Sequence, residues 1–413
     1  METKVSKYIK ENWKTTIRDN SFADERVMVR FERPYTVPCA ETLFVNFYYW
    51  DTYFTNIGLL LDGLSVQAEN NIVNMRNFIK RWGYIPNSDL CINRRQPPLF
   101  TRAVYDYYVF TGDKKIILEN IEYIMKELKF FQMDRMTPCG LNAYKNMATN
   151  TYLEDFFEEI NRDRLNLNKD RKFGEIKVAS NLLSIAESGW DFNCRFATEE
   201  NRFATDEFAH LDLNCLLYDA ERKTSEMLAI IGEKEKSAEY AKKANDRKSL
   251  MYKYMRDEKT GIFYDYNFVT NSFSKTLSCA SLYVFDMGIS DDKKAAKAIL
   301  KELELEHGLS VCPYRGEVEY YQWDYPAMWP TNVFFAVNGL KKIGLNEEGD
   351  RISEKYTGVV EAVFENTGKL WEKYDAKNGN VSVTQEYTTP AMMGWTAGVY
   401  EYLTKKHKYM LKF

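Results

Sequence analysis

A shortage of residues that end helices is the feature of this sequence that most constrains its fold. The 413 residues include only 20 glycines and 10 prolines, roughly 7% of the chain where about 12% is usual. Because glycine and proline are the residues that most often end helices and form turns, so few of them favour long helices joined by short connections. No stretch rich in proline, glycine or serine divides the sequence. We therefore expect one large closed architecture or two tightly fused units.

Apolar periodicity supports a helical chain. Apolar residues recur at intervals of three and four in several segments, as on the buried face of an amphipathic helix. Strand signals are short, at residues 261–266 and at 381–383 beside the Asn378-Gly379 turn. The sequence therefore predicts an all-α fold with short β-hairpins in its loops. The helical stripes are Ile72, Met75, Ile79 and Trp82; Leu213, Leu217, Ala220, Thr224, Met227 and Ile231; and Val333, Val337 and Leu340, and the predicted C-terminal caps are Gly63, Gly83, Gly232 and Gly344.

Clusters that combine aromatic and acidic residues precede or open several predicted helices. They lie at residues 48–51 (Y-Y-W-D), 189–192 (G-W-D-F), 322–325 (Q-W-D-Y) and 385–387 (Q-E-Y). A further segment, 96–98 (Q-P-P), places prolines where a helix starts without losing a hydrogen bond. Helical hairpins whose inner helices all start at one rim would bring these clusters together. That is the arrangement of a closed (α/α) toroid.

The charge balance excludes several classes of partner. There are 56 basic and 60 acidic residues, a formal net charge of -4, so nothing favours nucleic acid or an anionic membrane as partner.

No run of 18 apolar residues occurs, and residues 1–20 lack the apolar core of a signal peptide. Seven scattered cysteines without a C-x-x-C pair are typical of reduced thiols. We therefore expect a cytoplasmic protein.

Few residues are available to bind a metal ion. The three histidines, His210, His307 and His407, are far apart in sequence, and the cysteines show no metal-ligand spacing. A histidine-based zinc site or a Ser-His-Asp triad is therefore not favoured, and we predict no metal and no cofactor. A zinc-dependent cyclase-type enzyme on a similar toroid is an alternative that would need clustered cysteine and histidine ligands.

The repeated pairing of aromatic and acidic residues points to carbohydrate chemistry. A single Trp-Asp pair is typical of a core residue beside a helix cap, but several pairs suit a sugar, whose C–H faces stack on rings and whose hydroxyls need polar partners. We expect Trp50, Trp190, Trp323 and Trp395 to form such a rim. Glycoside hydrolysis needs two carboxyl groups. Asp191, between two aromatic residues, is a candidate acid, although spacing alone cannot select a pair among 60 acidic residues.

At these motifs the chain resembles the glycoside hydrolase family 37 trehalases and the related family 63 glucosidases, from about residue 44 to about residue 403. Residues 187–192, E-S-G-W-D-F, resemble the trehalase segment that carries the general acid, which implies Asp191 as the acid. Residues 371–375, W-E-K-Y-D, resemble the segment of the catalytic base, which implies Glu372. The resemblance implies an (α/α)6 toroid, placed here at residues 36–413 after an N-terminal extension of residues 1–35.

Other motifs resemble the substrate-binding segments of that family. Residues 322–330 closely follow its Q-W-D-x-P signature, and Glu386 with the later G-W-T resembles a segment whose glutamate contacts the substrate. Residues 85–87 and 94–98 resemble a sugar-binding asparagine and an R-S-Q-P-P segment. The substrate-binding residues implied by these resemblances are Trp50, Asp51, Asn87, Arg94, Gln96, Gly189, Trp323 and Glu386.

Several positions depart from the family pattern. Val45 stands where a substrate-binding arginine is expected, and a local alignment places Ala148, with no arginine nearby, where a second one is expected. Hydrogen bonds to charged groups contribute about 1.5–3 kcal/mol each. The absence of two guanidinium groups is therefore expected to weaken the binding of trehalose. Arg95 replaces a serine and is expected either to recognise an acidic aglycone or to lie solvated at the surface. Cys194 replaces a small hydroxyl residue.

The sequence thus predicts an inverting hydrolase of a small α-glucoside, with a small carbohydrate as its partner and an oligomeric state left open. A trehalase-shaped protein that binds sugars or regulates, without catalysis, is the alternative from another class. Retention of both carboxyl groups speaks against it and loss of two arginines speaks for it. Hydrolysis of another hexoside, such as a mannoside, is a third interpretation with the same mechanism.

Overall fold

The computed structural model describes residues 2–20, 30–41, 43–382 and 386–405. Helices dominate these residues, and strands are only two residues long. The helices are α1 (Lys4–Asn12), α2 (Tyr49–Leu61), α3 (Ser65–Trp82), α4 (Phe100–Thr111), α5 (Lys115–Asp134), α6 (Asn150–Asp163), α7 (Glu175–Glu187), α8 (Leu211–Ile230), α9 (Lys234–Tyr254), α10 (Ala280–Asp286), α11 (Lys293–Leu303), α12 (Pro330–Lys342), α13 (Asn346–Thr367) and α14 (Gly394–Lys405).

Six of the helices in these ranges form a closed inner ring. Contacts run in the order α2, α4, α8, α10, α12 and α14, and α14 returns to α2. The helices α1, α3, α5, α9, α11 and α13 pack on the outside of this ring. The inner helices are largely buried; in α2 every residue from Tyr49 to Leu60 is buried, its polar residues included. The predicted (α/α)6 toroid is therefore confirmed.

Glycines allow the ring to close between its first and last inner helices. A Cβ atom on Gly398 would lie 1.9 Å from the carbonyl oxygen of Phe54, and one on Gly58 would lie 2.9 Å from the Cα atom of Gly398. Real Cβ atoms do not approach other atoms so closely, so α2 and α14 pack backbone against backbone only because these positions lack side chains.

The predicted apolar stripes lie in α3, α8 and α12, where most of their members are buried. Gly83 caps α3 in the left-handed conformation, at φ 85°. The sequence placed an N-terminal extension before residue 36, and α1 in this segment packs on α14 with Val5 and Ile9 in the main core. The boundary at residue 36 stays a prediction. No described helix is long and apolar enough to cross a membrane.

The hairpin formed by α6 and α7 is additional to the six-hairpin toroid. These two helices pack on each other and share a separate apolar cluster that includes Phe157, Leu182 and Phe192. Thr149 caps the start of α6 by accepting a hydrogen bond from the Tyr152 amide. The ends of both helices reach the site described below, so this hairpin adds functional groups to the rim.

Short strands pair in the loops. They are β1 (Ile17–Arg18) with β2 (Tyr35–Thr36), β3 (Phe208–Ala209) with β4 (Tyr266–Asn267) and β5 (Ser272–Phe273), and β6 (Ala327–Met328) with β7 (Tyr374–Asp375), all antiparallel. The predicted hairpin at 261–266 is shifted, with its paired strands at β4 and β5. At 381–383 one bridge joins Val381 to Tyr374, and Val383 lies outside the described residues.

His210, at the start of α8, makes folding sensitive to acid. It is fully buried, and burial lowers its pKa well below the ordinary value of 6.5. Below pH 6.5 the unfolded chain binds a proton that the folded chain does not, so this group removes stability as pH falls. When the pH is lowered from 7 to 5.5, the free energy of unfolding should fall by about 1 kcal/mol less in His210→Asn than in the wild type. Urea unfolding at both pH values measures this, and equal losses would contradict it.

Candidate active site

A cavity of about 420 Å³ lies where the inner helices α2, α4, α12 and α14 begin. The lining includes nine of the ten site residues predicted from the sequence. The tenth, Glu386, lies directly behind the wall, where its carboxylate accepts hydrogen bonds from Arg164 and from the Gln322 amide at 2.7 and 2.8 Å. The nine lining residues are Trp50, Asp51, Asn87, Arg94, Gln96, Gly189, Asp191, Trp323 and Glu372.

The first turn of α2 supplies one wall. Its first turn contains Trp50 and Asp51, and the side-chain oxygen of Gln96 accepts the hydrogen bond from the Trp50 amide at 3.0 Å. Gln96 thus satisfies a donor that has no partner inside the helix. Asn87 is linked to the same helix start, because its carbonyl accepts from the Tyr49 amide at 3.1 Å. These residues orient one another before any ligand binds.

Asp191 reaches the cavity on a loop, whereas its aromatic and acidic cluster suggested a position at the start of a helix. Segment 189–192 follows the C-terminal end of α7 and does not open a helix; the next α-helix begins only at Leu211. The chain is anchored just before it, where both Glu187 oxygens pair with Arg135 at 2.8 and 3.0 Å. Just after it, Arg195 pairs with Asp212 at 2.7 Å. Asp191 thus sits on a short, doubly anchored loop.

Gly189 on this loop permits a close approach to Trp50. It has φ +77°, and a Cβ atom there would lie 2.8 Å from the indole ring of Trp50. Only glycine adopts this conformation without strain and also leaves the space for the ring. The loop that carries Asp191 and the first inner helix therefore meet at this residue.

Each carboxylate oxygen of Glu372 accepts a hydrogen bond from a neighbouring side chain. Lys373 donates to its carboxylate at 2.7 Å and to the Gln322 side chain at 3.2 Å. Tyr387 donates to the other carboxylate oxygen at 2.8 Å. The Lys373 ammonium is fully buried and also faces the rings of Trp329 and Tyr387 at 4.9 and 4.6 Å. The carboxylate is thus fixed in place with its charge compensated.

Indole rings form the floor. Trp323 and Trp329 stack with centroids 3.6 Å apart, and Trp50 and Trp395 pack around them. The expectation that Trp190 belongs to the sugar-binding rim is wrong. Trp190 is fully buried, is absent from the lining, and stacks on Trp323 at 5.5 Å as part of the core. Three nearly parallel indole rings, those of Trp190, Trp323 and Trp329, therefore stack on one another at this side of the cavity.

Arg164, at the end of α6, is the main site residue that the sequence analysis missed. Its guanidinium donates to the Asp191 carboxylate and carbonyl, both at 2.9 Å, and to Glu386 at 2.7 Å. The expectation that no arginine lies near this position is therefore wrong, because Arg164 reaches the site from elsewhere in the chain, although residue 148 itself is an alanine. Sixteen residues separate the two positions, and only the α6 hairpin brings Arg164 to the rim. Glu159 and Gln322 also line the cavity and were not predicted.

The two neighbouring arginines have opposite roles. Arg94 lines the cavity, and no carboxylate of the described residues lies within ion-pair distance of it; its buried Nε atom has no partner there either. Arg95 is fully buried, pairs with Glu127 at 2.7 Å and faces the Phe131 ring. Both expectations for Arg95, recognition of an aglycone and a solvated surface position, are therefore wrong. Of the two, Arg94 is the one that borders the cavity, and it donates a hydrogen bond to the Asn93 side chain at 3.2 Å.

Two acidic side chains of the site are pushed toward their neutral forms. Burial raises the pKa of Asp51 well above its ordinary value, and the charges of Glu372 and Asp191 add to this. Burial also raises the pKa of Glu386, against the effect of the Arg164 guanidinium. Asp51 has no cation bonded to it among the described residues. A protonated Asp51 is able to donate a hydrogen bond to a ligand oxygen.

Asp51 is expected to limit the stability of the protein. A carboxyl group whose pKa is raised by folding stabilises the fold below its unfolded pKa and loses that contribution as pH rises through the folded pKa. Asp51→Asn should therefore become increasingly more stable than the wild type between pH 5 and pH 8 in thermal unfolding. Asp163→Asn is the control, because this exposed carboxylate pairs with Arg162, which lowers its pKa, so it stays ionised over this pH range in both states. The stability difference between that variant and the wild type should not change with pH, and a difference for Asp51→Asn that does not grow with pH would contradict the interpretation.

The cysteines are free, and two of them meet behind the site. Five are buried and two half-buried. Cys194 and Cys312 lie with Asp324 such that one ligand atom of each is within 4.8 Å of the others. The sequence spacing did not suggest this cluster, which arises because the loop after Asp191 packs on the segment that carries the Q-W-D motif. Arg315 lies 3.9 Å from the same aspartate and partly balances its charge.

Comparisons with known proteins agree with this geometry. The trehalase family model matches residues 2–408. Human trehalase is 27% identical over 397 residues, which cover 90% of this chain and 67% of that protein. A periplasmic trehalase of Xanthomonas oryzae is 27% identical over 420 residues, covering 96% and 72%.

Solved structures share the fold at lower identity. Neutral trehalase of Saccharomyces cerevisiae has a TM-score of 0.74 at 21% identity, covering 99% of this chain and 80% of that one. A family 63 mannosylglycerate hydrolase of Thermus thermophilus has a TM-score of 0.65 at 13% identity, covering 97% and 100%. With the family model matching nearly the whole chain, this protein belongs to the trehalase family of glycoside hydrolases.

Proposed function

We propose that this protein is an inverting glycoside hydrolase of a small α-glucoside. Asp191 protonates the departing glycosidic oxygen, and Glu372 removes a proton from a water molecule that attacks the anomeric carbon from the opposite face. The bond from the anomeric carbon to the leaving oxygen breaks as the bond to the water oxygen forms. The product then carries the β configuration at that carbon.

The single observation that carries this proposal is the meeting of two differently supported carboxyl groups in one aromatic-floored cavity. Asp191 reaches it from the α7 loop, and Glu372 from the segment before α14. Asp51, Asn87, Arg94 and Gln96 provide hydroxyl partners around the aromatic floor. A cavity of about 420 Å³ lies within the size range of small-ligand sites.

Trehalose belongs among the substrates to be tested first, since the curated relatives described above are trehalases. Val45 and Ala148 stand at positions where the family resemblance leads us to expect arginines, so the guanidinium groups of those two arginines are absent. Arg164 supplies one such group from another position, which supports a small glucoside without selecting trehalose. We also propose a reducing, cytoplasmic location on the free cysteines, although one named relative is periplasmic.

Proton NMR of the anomeric signals tests the mechanism. Purified protein is incubated with α,α-trehalose and a panel of other α-glucosides, and spectra are recorded before mutarotation equilibrates the anomers. From trehalose, inversion should release β-glucose from the attacked ring and an equal amount of α-glucose from the departing ring. Release of α-glucose alone would overturn inversion.

A second function is favoured by one observation, the ion pair between Arg164 and Asp191. The protein would then bind sugars without cleaving them. Calorimetric binding of a sugar, with no turnover of any glycoside in the panel, would decide for this alternative.

A further inference from the structure

Arg164 lies between two cavities. It lines the catalytic cavity and also a second one of about 440 Å³, which includes Glu386 in its wall. We propose that the second cavity is a subsite for an additional neutral sugar ring on the aglycone, and that Arg164 closes it off and so limits the length of the substrate. This proposal rests on the hydrolase function proposed above.

The position of Arg164 is strongly fixed. Besides its bonds to Asp191 and Glu386, its guanidinium faces the rings of Phe192 and Tyr387 at 4.5 and 5.5 Å. The side chain remains 20% exposed, so it forms a wall between the cavities and is not part of the core. A side chain held on four sides excludes a ligand from the space that it fills.

The second cavity has the chemistry of a sugar site. Tyr320 and Tyr325 line it with ring centroids 5.6 Å apart, and the 56% exposed Tyr314 packs on both. Such faces stack on the C–H surfaces of sugars. Glu319, Asp375 and Ser382 supply oxygen atoms for hydroxyl groups. The carboxylates disfavour an anionic ligand, and the tyrosine hydroxyls and rings suit a neutral polyol.

The second cavity lies on the side of the leaving group. Arg164 donates to the carboxylate of Asp191, the group proposed to protonate the glycosidic oxygen. The aglycone begins at that oxygen, so a chain that continues beyond the first aglycone ring is directed toward Arg164. With the arginine in place, the next ring has no path into the tyrosine-lined space.

The test compares two probes on the same enzyme, α,α-trehalose and the trisaccharide α-maltosyl α-glucoside. Arg164→Ala removes the wall, and we expect the ratio of kcat/KM for the trisaccharide over trehalose to rise at least 10-fold over the wild type. Loss of the contacts to Asp191 and Glu386 lowers both rates, so the ratio isolates selection for length. Arg164→Lys, which still fills the space, is the matched control and should keep the wild-type ratio.

A second substitution identifies where the added ring binds. In the Arg164→Ala background, Tyr325→Ala should cancel at least 5-fold of the gain on the trisaccharide and leave trehalose turnover unchanged. An unchanged ratio in Arg164→Ala, or a gain insensitive to Tyr325, would overturn the proposal. Arg164→Gln provides the same comparison if the alanine variant does not fold.

Failure of the hydrolase function gives a different result. In that case no variant cleaves either probe, and calorimetric binding of the two sugars replaces kcat/KM. Tighter binding of the trisaccharide by Arg164→Ala than by the wild type, relative to trehalose, would still support the subsite. Equal relative affinities would overturn it independently of catalysis.

Discussion

Asp191→Asn is expected to lower kcat/KM for an α-glucoside with a sugar leaving group by about 10²–10⁴-fold. General acid catalysis contributes a factor of this size, and asparagine cannot donate the proton that the departing oxygen needs. The amide still fits beside Arg164 and keeps an acceptor toward its guanidinium. The fold should therefore be preserved, and initial rates from coupled glucose detection measure the loss. Full activity of the variant would overturn the assignment of the acid.

The leaving group separates the roles of the two carboxyl groups. The fluoride ion leaves α-glucosyl fluoride with little need for a proton. Asp191→Asn should therefore retain much of the wild-type activity on this substrate. Glu372→Gln should stay inactive on both substrates, because activation of water is required in each case. Asp163→Asn, an exposed carboxylate at the end of α6, should match the wild type. Equal defects of both site variants on the fluoride would contradict the division of roles.

Lys373→Met is expected to cause the largest loss of stability. Lys373 is fully buried against Glu372, and removing one member of a buried ion pair costs about 3–5 kcal/mol because the remaining charge has no partner. Activity should fall as well, since Glu372 is then held only by Tyr387. Chemical denaturation gives the free energy of unfolding, and glucose release gives the rate.

A double-mutant cycle separates the ion pair from packing. Lys373→Met combined with Glu372→Gln leaves no unpaired buried charge, so we expect the double variant to be more stable than Lys373→Met alone. Lys377→Met lies on the exposed turn nearby and serves as the control. A double variant that is less stable than Lys373→Met would show that the charge is not the cause.

The fold follows from the sequence because its signals are local. The stripe that ends at Trp82, with Gly83 as its cap, corresponds to α3. The cluster at 48–51 opens α2, whereas those at 322–325 and 385–387 precede α12 and α14 by several residues. Period and capping depend on neighbours three or four residues apart, so they are readable along the chain. Contacts between distant segments are not, which is why Trp190 was placed in the rim although it packs in the core.

The candidate site shows the same division. Short motifs identified Asp191, Glu372 and the residues around them, and the structure brings nine of the ten into one cavity. Arg164 carries no motif of its own, and its role depends on where the α6 hairpin ends in space. Arg95 looked like an exposed neighbour of Arg94, but tertiary packing places Arg94 at the cavity and buries Arg95 against Glu127.

The sequence by itself determined a helical toroid and a set of candidate site residues that meet in one cavity, because periodicity, caps and short motifs are properties of adjacent residues. Only the tertiary structure decided which charges meet. Arg164 is 27 residues from Asp191 and 222 residues from Glu386, yet it bonds to both. Electrostatic and hydrogen-bond energies depend on separations of a few ångströms. Those separations are set by the packing of the α6 hairpin on the ring, and no local pattern in the chain encodes them.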